Sequence, residues 1–463
     1  MRPQTPLWDA LQKHIISGLY PFHVPGHKSG RGLPTSYVNS LINYDLTELS
    51  GLDNLYDPSG PIARAQELTA QLFGVAATLF TTNGSTAGLI AAVLACCPSG
   101  GTIILPRNAH VSLLHACVLG DLSPVFVDVE IDPYTEIPLG LTPEQLSIVL
   151  ESSGADAVVA VYPTYHGVCG DIRGIGEVCR QAGIRLIVDE AHGTHLYLNP
   201  SGPVSSLCTE ASVVVQSTHK TGLALTGAAW VHIKDQSLVQ RVKASLRLVQ
   251  STSPSYLLLS SLDITRAIME EEGPRLMRRA LAAADKLASI LPLYKPPWPY
   301  RSDPLRLVIN ARQLGISGQY LAARFLAHGV AAEMFDLYSV TLVLSLADDE
   351  DSVAGLTAAF QQIERQPTGP PLAPVCPPLG QQVMTPRQAH FSPKRSCKLE
   401  QSKGFIAAEA VTTYPPGIPV VWPGQIITTE ILEYLASRRA LGAEFSGISA
   451  QGEVLVRAEV END

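Results

Sequence analysis

Short apolar runs alternate with longer segments of helical periodicity between residues 61 and 234. The apolar run at 213–216 predicts a buried strand, whereas the apolar positions of 65–73 share one helical face. Strands that alternate with helices indicate a mostly parallel sheet covered on both faces. The predicted strands are 78–82, 102–105, 124–127, 157–161, 185–188, 213–216 and 228–233, and the predicted helices are 65–73, 85–97, 111–119, 143–151 and 172–182.

The pattern changes after residue 251, where longer helical stretches begin. Residues 255–272 and 274–289 predict two helices, with Pro274 in the first turn of the second. A strand, a helix and a strand at 305–309, 320–328 and 340–346 then predict a smaller α/β domain. Its last helix is predicted at 352–365, with Ser352 as the N-cap.

The tail begins with a proline-rich stretch. Residues 366–378 contain six prolines, which predicts a surface linker. Structure is predicted to resume at 405–411 and to include a helix near 429–440. We therefore divide the chain into an N-terminal segment (1–60), a large domain (61–273), a small α/β domain (274–365), a linker (366–402) and a C-terminal domain (403–463).

Composition narrows the functional classes. The 463 residues suffice for two or three domains, and a net charge of −9 without a basic block argues against nucleic acid as a partner. Residues 1–16 lack the apolar core of a signal peptide, and no stretch approaches the roughly 20 apolar residues that cross a bilayer. The eight cysteines are scattered without a CxxC pair. We therefore expect a cytoplasmic protein with reduced thiols and no membrane partner.

Two charged residues close apolar runs. Lys220 follows the predicted strand 213–216 and a Ser-Thr-His triplet, and Asp189 ends the strand 185–188. Ligands of open α/β sheets bind at the carboxyl ends of strands, so both side chains are expected in one cleft. An amine there can condense with the aldehyde of pyridoxal phosphate (PLP), and a carboxylate can keep the pyridine nitrogen protonated. A solvated lysine and a helix-capping aspartate are the alternatives for each residue alone.

A phosphate site is predicted at 82–86, between a strand and a helix that opens on Gly84. Backbone N–H groups at a helix N-terminus, with the hydroxyls of Ser85 and Thr86, can form a cup for an anion. Ser217 can add a further hydroxyl. An ordinary N-cap by Asn83 or Ser85 would have the same pattern.

Three histidines were weighed as site residues. His110 lies in a loop after a strand, where an imidazole can stack on a cofactor ring or simply be solvated. His192 and His195 have an HxxH spacing, which raises a metal site. Zinc sites usually need a third protein ligand and place HxxxH on a helix, whereas these residues lie in a predicted loop, so no metal is expected.

Together these motifs resemble the fold-type-I PLP decarboxylases acting on ornithine, lysine and arginine, in the shorter form without an N-terminal wing domain. The resemblance covers nearly the whole chain, and larger members often carry a tryptophan where His192 stands. In chain order the matching pieces are HVPGHK (23–28), DLTE (45–48), GLD (51–53), NGST (83–86), RNAH (107–110), DEAH (189–192), STHK (217–220), STSPSY (251–256) and YPPGIP (414–419).

The resemblance implies an α/β fold: a large PLP-binding domain on a mostly parallel seven-stranded sheet, a small α/β domain and a C-terminal α+β decarboxylase domain. Lys220 would bind PLP covalently, Asp189 would pair with the pyridine nitrogen, and His110 would stack on the ring. The remaining residues implied to bind the cofactor are Gly84, Ser85, Thr86 and Ser217 around the phosphate and His192 near the ring.

Further implied roles concern the substrate and the partner subunit. His219 would contact the phosphate or the substrate carboxylate and assist proton delivery, and Glu409 would contact the substrate's distal cation. The family builds its site at a dimer interface, so a homodimer or larger oligomer is implied, with 251–253 reaching the neighbouring phosphate.

The implied activity is the decarboxylation of lysine, ornithine or arginine. An aminotransferase that clamps the α-carboxylate with Arg306 or Arg312, and a silent PLP-binding homologue, are the alternatives. The substrate stays open because a pocket resolves one methylene by only about 1–3 kcal/mol. A guanidinium would prefer a forked carboxylate partner, for which Glu48, Asp53 and Glu409 are candidates.

Overall fold

A seven-stranded sheet forms the centre of the protein. The computed structural model describes residues 5–364, 377–378, 380–413 and 418–458, so residues 414–417 of the last motif lie outside it. The strands of this sheet are β1 (Ala77–Thr81), β2 (Thr102–Pro106), β3 (Ser123–Val127), β4 (Ala157–Val161), β5 (Arg185–Asp189), β6 (Val213–Gln216) and β7 (Ala229–Ile233).

The sheet is mostly parallel, as predicted. Its order is β1-β7-β6-β5-β4-β2-β3, and β7 runs antiparallel to both neighbours while the other described pairs are parallel. Each predicted strand is present, with ends shifted by one residue at most. The apolar runs therefore located this sheet because its strands are buried on both faces.

Helices cover the two faces of the sheet. Val213 and Val215 point into one apolar layer, whereas Val214 points into the other, as the period of two along a strand requires. The helices around the sheet are Pro61–Phe73, Gly84–Cys96, Val111–Gly120, Pro143–Ser153, Ile172–Ala182, Thr218–Thr221 and Val239–Val249.

One long helix, Tyr256–Ala288, replaces the two helices predicted at 255–272 and 274–289. Pro274 lies inside it, so the prediction that this residue begins a second helix is wrong. Pro274 cannot donate a backbone hydrogen bond. However, Met269, Leu276 and Met277 are buried on either side of it, and this packing keeps the helix continuous.

A smaller antiparallel sheet follows the long helix. Strand Ser339–Val343 pairs with Arg306–Asn310 on one side and Met334–Phe335 on the other. The helices beside it are Gly318–Ala327 and Glu350–Gln361. The predicted N-cap Ser352 is wrong: Asp349 caps the last helix by accepting from the Asp351 N–H, because the helix begins two residues earlier than predicted.

The C-terminal part contains helix Pro386–Phe391 and strand Lys394–Lys398, which pairs with Glu453–Arg457. Residues 386–398 are predicted to belong to a linker, whereas the structure shows a helix and a strand there, and Val454 and Val456 of the partner strand are buried. Helix Thr429–Ala440 lies where it was predicted. The division into domains at 60, 273, 365 and 402 stays a prediction, although residue 273 lies within the long helix.

Shorter elements complete the described chain, and its α/β architecture agrees with the predicted fold class. Within the described ranges, none of the helices has both the length and the apolar character that crossing a bilayer requires. The remaining helices are Pro6–Ile16 and Thr35–Asn39, with 3-10 turns at Leu41–Tyr44, Leu196–Leu198, Ser206–Cys208, Gln236–Leu238, Ala311–Leu314 and Leu399–Gln401, and the remaining strands are Tyr20–Phe22, Glu130–Ile131, Pro138–Gly140, Val168–Cys169, Arg301–Ser302, Val330–Ala332, Val411–Thr413, Ile418–Val421 and Phe445–Ser446.

Candidate active site

Lys220 and Asp189 lie at the same edge of the sheet. Asp189 is the last residue of β5 and lies beside Val215 of β6, and Lys220 lies in the short helix that follows β6. Both side chains line one cavity. The carboxyl ends of the parallel strands therefore bring the amine and the carboxylate together as predicted.

Burial shifts the charge balance of this pair. Desolvation lowers the pKa of the Lys220 amine to about 8, with Asp189 opposing the shift and Arg306 adding to it. Desolvation also raises the pKa of Asp189, and Lys220 opposes that shift. An amine with this pKa has an appreciable neutral fraction near neutral pH, and the neutral amine is the form that attacks aldehydes.

His192 lies directly against the lysine. Its Nε2 atom is 2.9 Å from Lys220 Nζ, and its Nδ1 atom is 2.5 Å from Nη2 of Arg306. The Tyr165 ring packs edge-on against the imidazole, with the ring centroids 4.6 Å apart. Burial first, and then the Lys220 and Arg306 cations, lower the pKa of His192 well below its ordinary value, so this imidazole is neutral.

Two further histidines flank the site. His110 caps helix Val111–Gly120 by accepting the Ser112 backbone N–H at Nδ1, and it lines the same cavity as Lys220. His219 holds its Nδ1 atom 3.1 Å from the Ala228 carbonyl oxygen, which places its proton on Nδ1. Burial is the main cause that lowers the pKa of each imidazole to about 4.

The predicted phosphate residues converge at the start of helix Gly84–Cys96. The Ser217 hydroxyl donates to the Ser85 hydroxyl at 2.6 Å, and the Gly84 N–H donates to the Gly227 carbonyl at 2.7 Å. Gly84 has a φ of +71°, a conformation that favours glycine. Thr86 follows Ser85 in the first turn. Two hydroxyls at a helix N-terminus form a place where an anion is stabilised.

Residues 23–28 pack onto the turn that carries the lysine. The Gly26 N–H donates to the His219 carbonyl at 2.8 Å, and Ser345 donates its hydroxyl to the Gly26 carbonyl at 2.6 Å. A Cβ at residue 26 would lie 2.2 Å from the Gly222 carbonyl oxygen and 2.9 Å from that of Lys220. Only glycine allows this close approach.

Lys28 anchors the same segment. Its side chain is fully buried, and Nζ donates to the carbonyl oxygens of Pro21, His23 and Val343 at 2.7, 3.0 and 2.9 Å. Asp348 lies 3.7 Å away. The motif that carried part of the resemblance thus has a structural role that holds the N-terminal segment over the site.

Some predicted site residues lie elsewhere in the single chain. Glu409 forms an ion pair of 3.0 Å with Lys394, and the described residues around Lys220 do not include it. Asp53 accepts five backbone N–H groups, and two of them, from Ile62 and Ala63, belong to the first turn of helix Pro61–Phe73. Its carboxylate is therefore used within the fold. Glu48 and residues 251–253 are exposed or half-buried at the surface.

The two arginines weighed as carboxylate clamps differ in position. Arg306 is buried against His192, whereas Arg312 donates to the Tyr134 carbonyl and lies over the Tyr338 ring. His195 is also engaged, with Nε2 2.8 Å from Asp303 Oδ1. In the described part of the chain, no group of three or more His, Cys, Asp or Glu side chains is arranged to hold a metal ion.

Sequence reasoning missed Tyr165 and Glu333. Tyr165 donates its hydroxyl to Glu333 Oε1 at 2.9 Å, and Glu333 Oε2 accepts the Val24 N–H at 2.9 Å. Tyr165 follows the carboxyl end of β4, at the same sheet edge as Asp189, and this position was a signal that could have found it. Glu333 lies at the bend between strands Val330–Ala332 and Met334–Phe335, and no local pattern distinguishes it.

Two adjoining cavities open at the site. The cavity beside Lys220 has a volume of about 80 Å³. A second cavity of about 550 Å³ shares Asn108, Pro138 and Ile418 with it. The carboxyl groups that line the larger cavity belong to Asp128, Glu136, Asp336 and Glu444.

This combination of fold and side chains defines a PLP-dependent enzyme of fold type I. The residues present fit that cofactor: Lys220 offers an amine of lowered pKa, and the carboxylate of Asp189 is available to the pyridine nitrogen. Ser85 and Ser217 offer hydroxyls to the phosphate beside a helix N-terminus. His110 lines the same cavity as Lys220, Asp189 and Ser85.

Comparison with known families agrees with this class. A family model for the major domain of Orn/Lys/Arg decarboxylases matches residues 5–291, and a model for their C-terminal domain matches residues 374–461. The chain belongs to the Orn/Lys/Arg decarboxylase family. It is a PLP-dependent decarboxylase. This confirms the predicted resemblance, enzyme class and cofactor, and it does not support the aminotransferase alternative.

Related proteins match over nearly the whole chain. It is 32% identical over 472 residues to an arginine decarboxylase of Bacillus subtilis (strain 168), covering 96% of this chain and 95% of the relative. It is 35% identical over 461 residues to the uncharacterized protein YaaO of that organism, covering 93% and 94%. The solved structure of the E. coli constitutive lysine decarboxylase has a TM-score of 0.77 at 20% identity, covering 98% and 82%, which shows a shared fold.

Proposed function

We propose that the protein decarboxylates a basic amino acid to the corresponding amine, with arginine as the first candidate substrate. The observation that carries this proposal is the buried Lys220 amine, with a pKa of about 8, in one cavity with Asp189 in a chain of this family. PLP supplies an electron-accepting ring that takes up the electron pair left at Cα when carbon dioxide departs.

Lys220 holds the cofactor and then handles the proton. When its amine is free, Lys220 would carry a proton near neutral pH, because its pKa is about 8, and could donate that proton to Cα. His219 is the weaker donor, because its pKa of about 4 leaves the imidazole neutral and its Nδ1 proton already faces the Ala228 carbonyl. We therefore assign protonation to Lys220 and a contact role to His219.

Asp189 and the hydroxyl residues orient the cofactor. Asp189 would place its carboxylate opposite the ring nitrogen, and His110 would pack at the ring. Ser85, Thr86, Ser217 and the N–H groups after Gly84 would bind the phosphate. His192 lies beside Lys220 and would contact the part of the cofactor next to it.

Arginine is favoured by two observations. Asp128 and Glu444 line the cavity that adjoins the site and can attract a distal cation there, whereas Glu136 in the same lining is paired with Arg438 and Asp336 accepts from Ser339. A guanidinium pairs with carboxylates in a forked geometry. Several relatives near 30% identity carry the name arginine decarboxylase. Glu409 stays a candidate for the distal cation only if the subunits share their sites.

We infer that the chain works as a homodimer with shared sites in the cytoplasm. Helix Pro6–Ile16 has no buried residue, and Leu7, Trp8, Leu11 and Ile15 are exposed along it. An isolated helix of this length is marginal in water, so a second copy is the natural cover for its apolar side chains. The seven described cysteines are free thiols, which supports a reducing compartment.

The assignment of Lys220 is tested with Lys220→Ala and the purified protein. We expect loss of the visible absorbance of the bound cofactor and at least a 1,000-fold loss of activity, roughly the scale of removing a covalent catalytic group. Lys234→Ala serves as a control, since Lys234 lies after β7 and donates to the Thr209 carbonyl. Retained absorbance and activity in Lys220→Ala would refute the assignment.

The substrate is tested by measuring carbon dioxide release from arginine, lysine and ornithine at several pH values. We expect the highest kcat/KM with arginine. A keto acid product instead of carbon dioxide would contradict decarboxylation, and a higher kcat/KM with lysine or ornithine would contradict the choice of arginine alone.

A further inference from the structure

A buried arginine contacts His192 on the side of the imidazole that faces away from Lys220. Arg306 begins the strand Arg306–Asn310 and is 4% exposed. Its Nη2 atom lies 2.5 Å from Nδ1 of His192, and its Cζ atom lies 5.8 Å from the centroid of the Tyr165 ring. The guanidinium is thus fixed between an imidazole and an aromatic face.

The backbone around Arg306 fixes this position. The Arg306 N–H donates to the Asp303 carbonyl at 3.1 Å, and the Asp303 N–H donates to the Gly167 carbonyl at 2.7 Å. A Cβ at residue 167 would lie 2.5 Å from Cβ of Arg306, so a glycine is needed where the arginine passes. Asp303 is held in turn by His195 at 2.8 Å.

The contact determines where the imidazole carries its proton. A guanidinium has only donors, so Nδ1 of His192 must accept from Arg306. A neutral imidazole then carries its single proton on Nε2, which lies 2.9 Å from Lys220 Nζ. In this arrangement His192 presents an N–H to Lys220, and the lysine nitrogen accepts it as the neutral amine, because an ammonium has no acceptor.

We propose that Arg306 is a positioning residue that holds His192 in the Nε2–H tautomer, so that the imidazole presents a donor beside Lys220. This role rests on the proposed function of Lys220 as the cofactor anchor. It differs from the clamp on a substrate carboxylate that the sequence suggests, because Nη2 is hydrogen-bonded to His192, while Nε and Nη1 are buried without a partner among the described residues.

The Nε2–H donor has a chemical consequence for the bound cofactor. This N–H would stabilise a lone pair on the cofactor atom next to the lysine linkage. The Arg306 cation on the other side of the imidazole would strengthen that hydrogen bond. The groups that face His192 are Lys220, Arg306, His110 and His219, and those that face Lys220 include Asp189 and Glu333.

The tautomer is measured by nitrogen NMR on the full-length protein labelled with ¹⁵N-histidine. The His192 signals are assigned by their disappearance in His192→Gln. In the natural sequence we expect an unprotonated Nδ1 and a protonated Nε2. Arg306→Met should lose this preference, whereas Arg306→Lys should keep it, because an ammonium is also only a donor.

Arg312→Met is the matched control, since Arg312 lies beyond the same strand and does not contact His192. A second readout is the pH titration of the cofactor absorbance in the holoenzyme. Its midpoint should move to higher pH in Arg306→Met, where a cation near Lys220 is lost, and should stay unchanged in Arg312→Met.

A protonated Nδ1 in the natural sequence would overturn the proposal, and so would an unchanged tautomer in Arg306→Met. If Arg306→Met does not fold, the proposal is still tested by the His192 tautomer measured in the natural protein and in Arg306→Lys. The NMR result needs no substrate, so its failure is separate from a failure of decarboxylation in the carbon dioxide assay.

Discussion

Replacing Lys28 by methionine tests how the N-terminal segment is held over the site. Methionine keeps the length of the buried chain and removes the amine. Burial lowers the pKa of Lys28, while Asp348 opposes that shift. The three carbonyl oxygens that Nζ contacts need three N–H donors, which only the protonated amine supplies.

The magnitude follows from what the change leaves unpaired. A buried polar group without a partner costs about 1–3 kcal/mol, and breaking a buried ion pair costs about 3–5 kcal/mol. Asp348 keeps donors from Ser345 and Ser352, and methionine fills the volume, so the separate costs do not add in full. We expect the free energy of unfolding to fall by about 3–5 kcal/mol.

The assay is urea unfolding followed by circular dichroism, combined with a measurement of retained cofactor after dialysis. The control is Lys286→Met, which removes an exposed ion pair of 2.6 Å with Glu350 and should change stability little. Equal stability of the two variants would refute the reasoning that the buried amine holds the segment. Lower stability with full cofactor retention would refute its link to the site.

Three other expectations concern residues in or around the candidate active site and the sheet edge. Burial raises the pKa of Glu190 from 4.5 to about 7, so its contribution to stability is present at low pH and is lost as pH rises through that window. Urea unfolding at pH 5 and pH 8 should therefore show a fall in the free energy of unfolding between the two pH values. This fall should be smaller by roughly 3 kcal/mol in Glu190→Gln than in the natural protein. Gly26→Ala should lower the melting temperature and cofactor retention because its Cβ meets backbone oxygen at 2.2 Å, whereas Gly170→Ala, whose Cβ meets a ring carbon at 3.4 Å, should change neither. Ser85→Ala should weaken PLP binding about 10–100-fold in a fluorescence titration, and unchanged affinity would contradict its place at the phosphate.

The sequence predicted the parts of the site that lie at strand ends. Lys220 and Asp189 each follow a continuous apolar run, and the parallel sheet brings such positions to one edge independently of the conformation of the loops. The residues predicted to bind phosphate lie at that edge for the same reason, since the helix after β1 begins there. Local pattern and fold class sufficed for these placements.

Contacts between distant segments could not be predicted in the same way. Arg306 reaches His192 across 114 residues, and Gly26 reaches the lysine turn from the N-terminal segment. Arg306 is a candidate clamp and Gly26 part of a motif in the sequence, but nothing in their local surroundings indicates which segments they contact. The local preference of proline for a first helical turn predicts a helix start at Pro274, yet tertiary packing keeps this residue inside a longer helix. Asp53 was read as a ligand for a cation, although its carboxylate caps a helix.

The strand order has a consequence for the order in which the protein is made. Among the described strands, β1 at the sheet edge bonds to β7 alone, although β7 is the last of the seven to leave the ribosome. Until then β1 has no strand to pair with, and the Gly84–Gly227 hydrogen bond cannot form before residue 227 has been made. A nascent chain that ends before residue 227 should therefore fail to retain vitamin B6, however completely its earlier strands have paired.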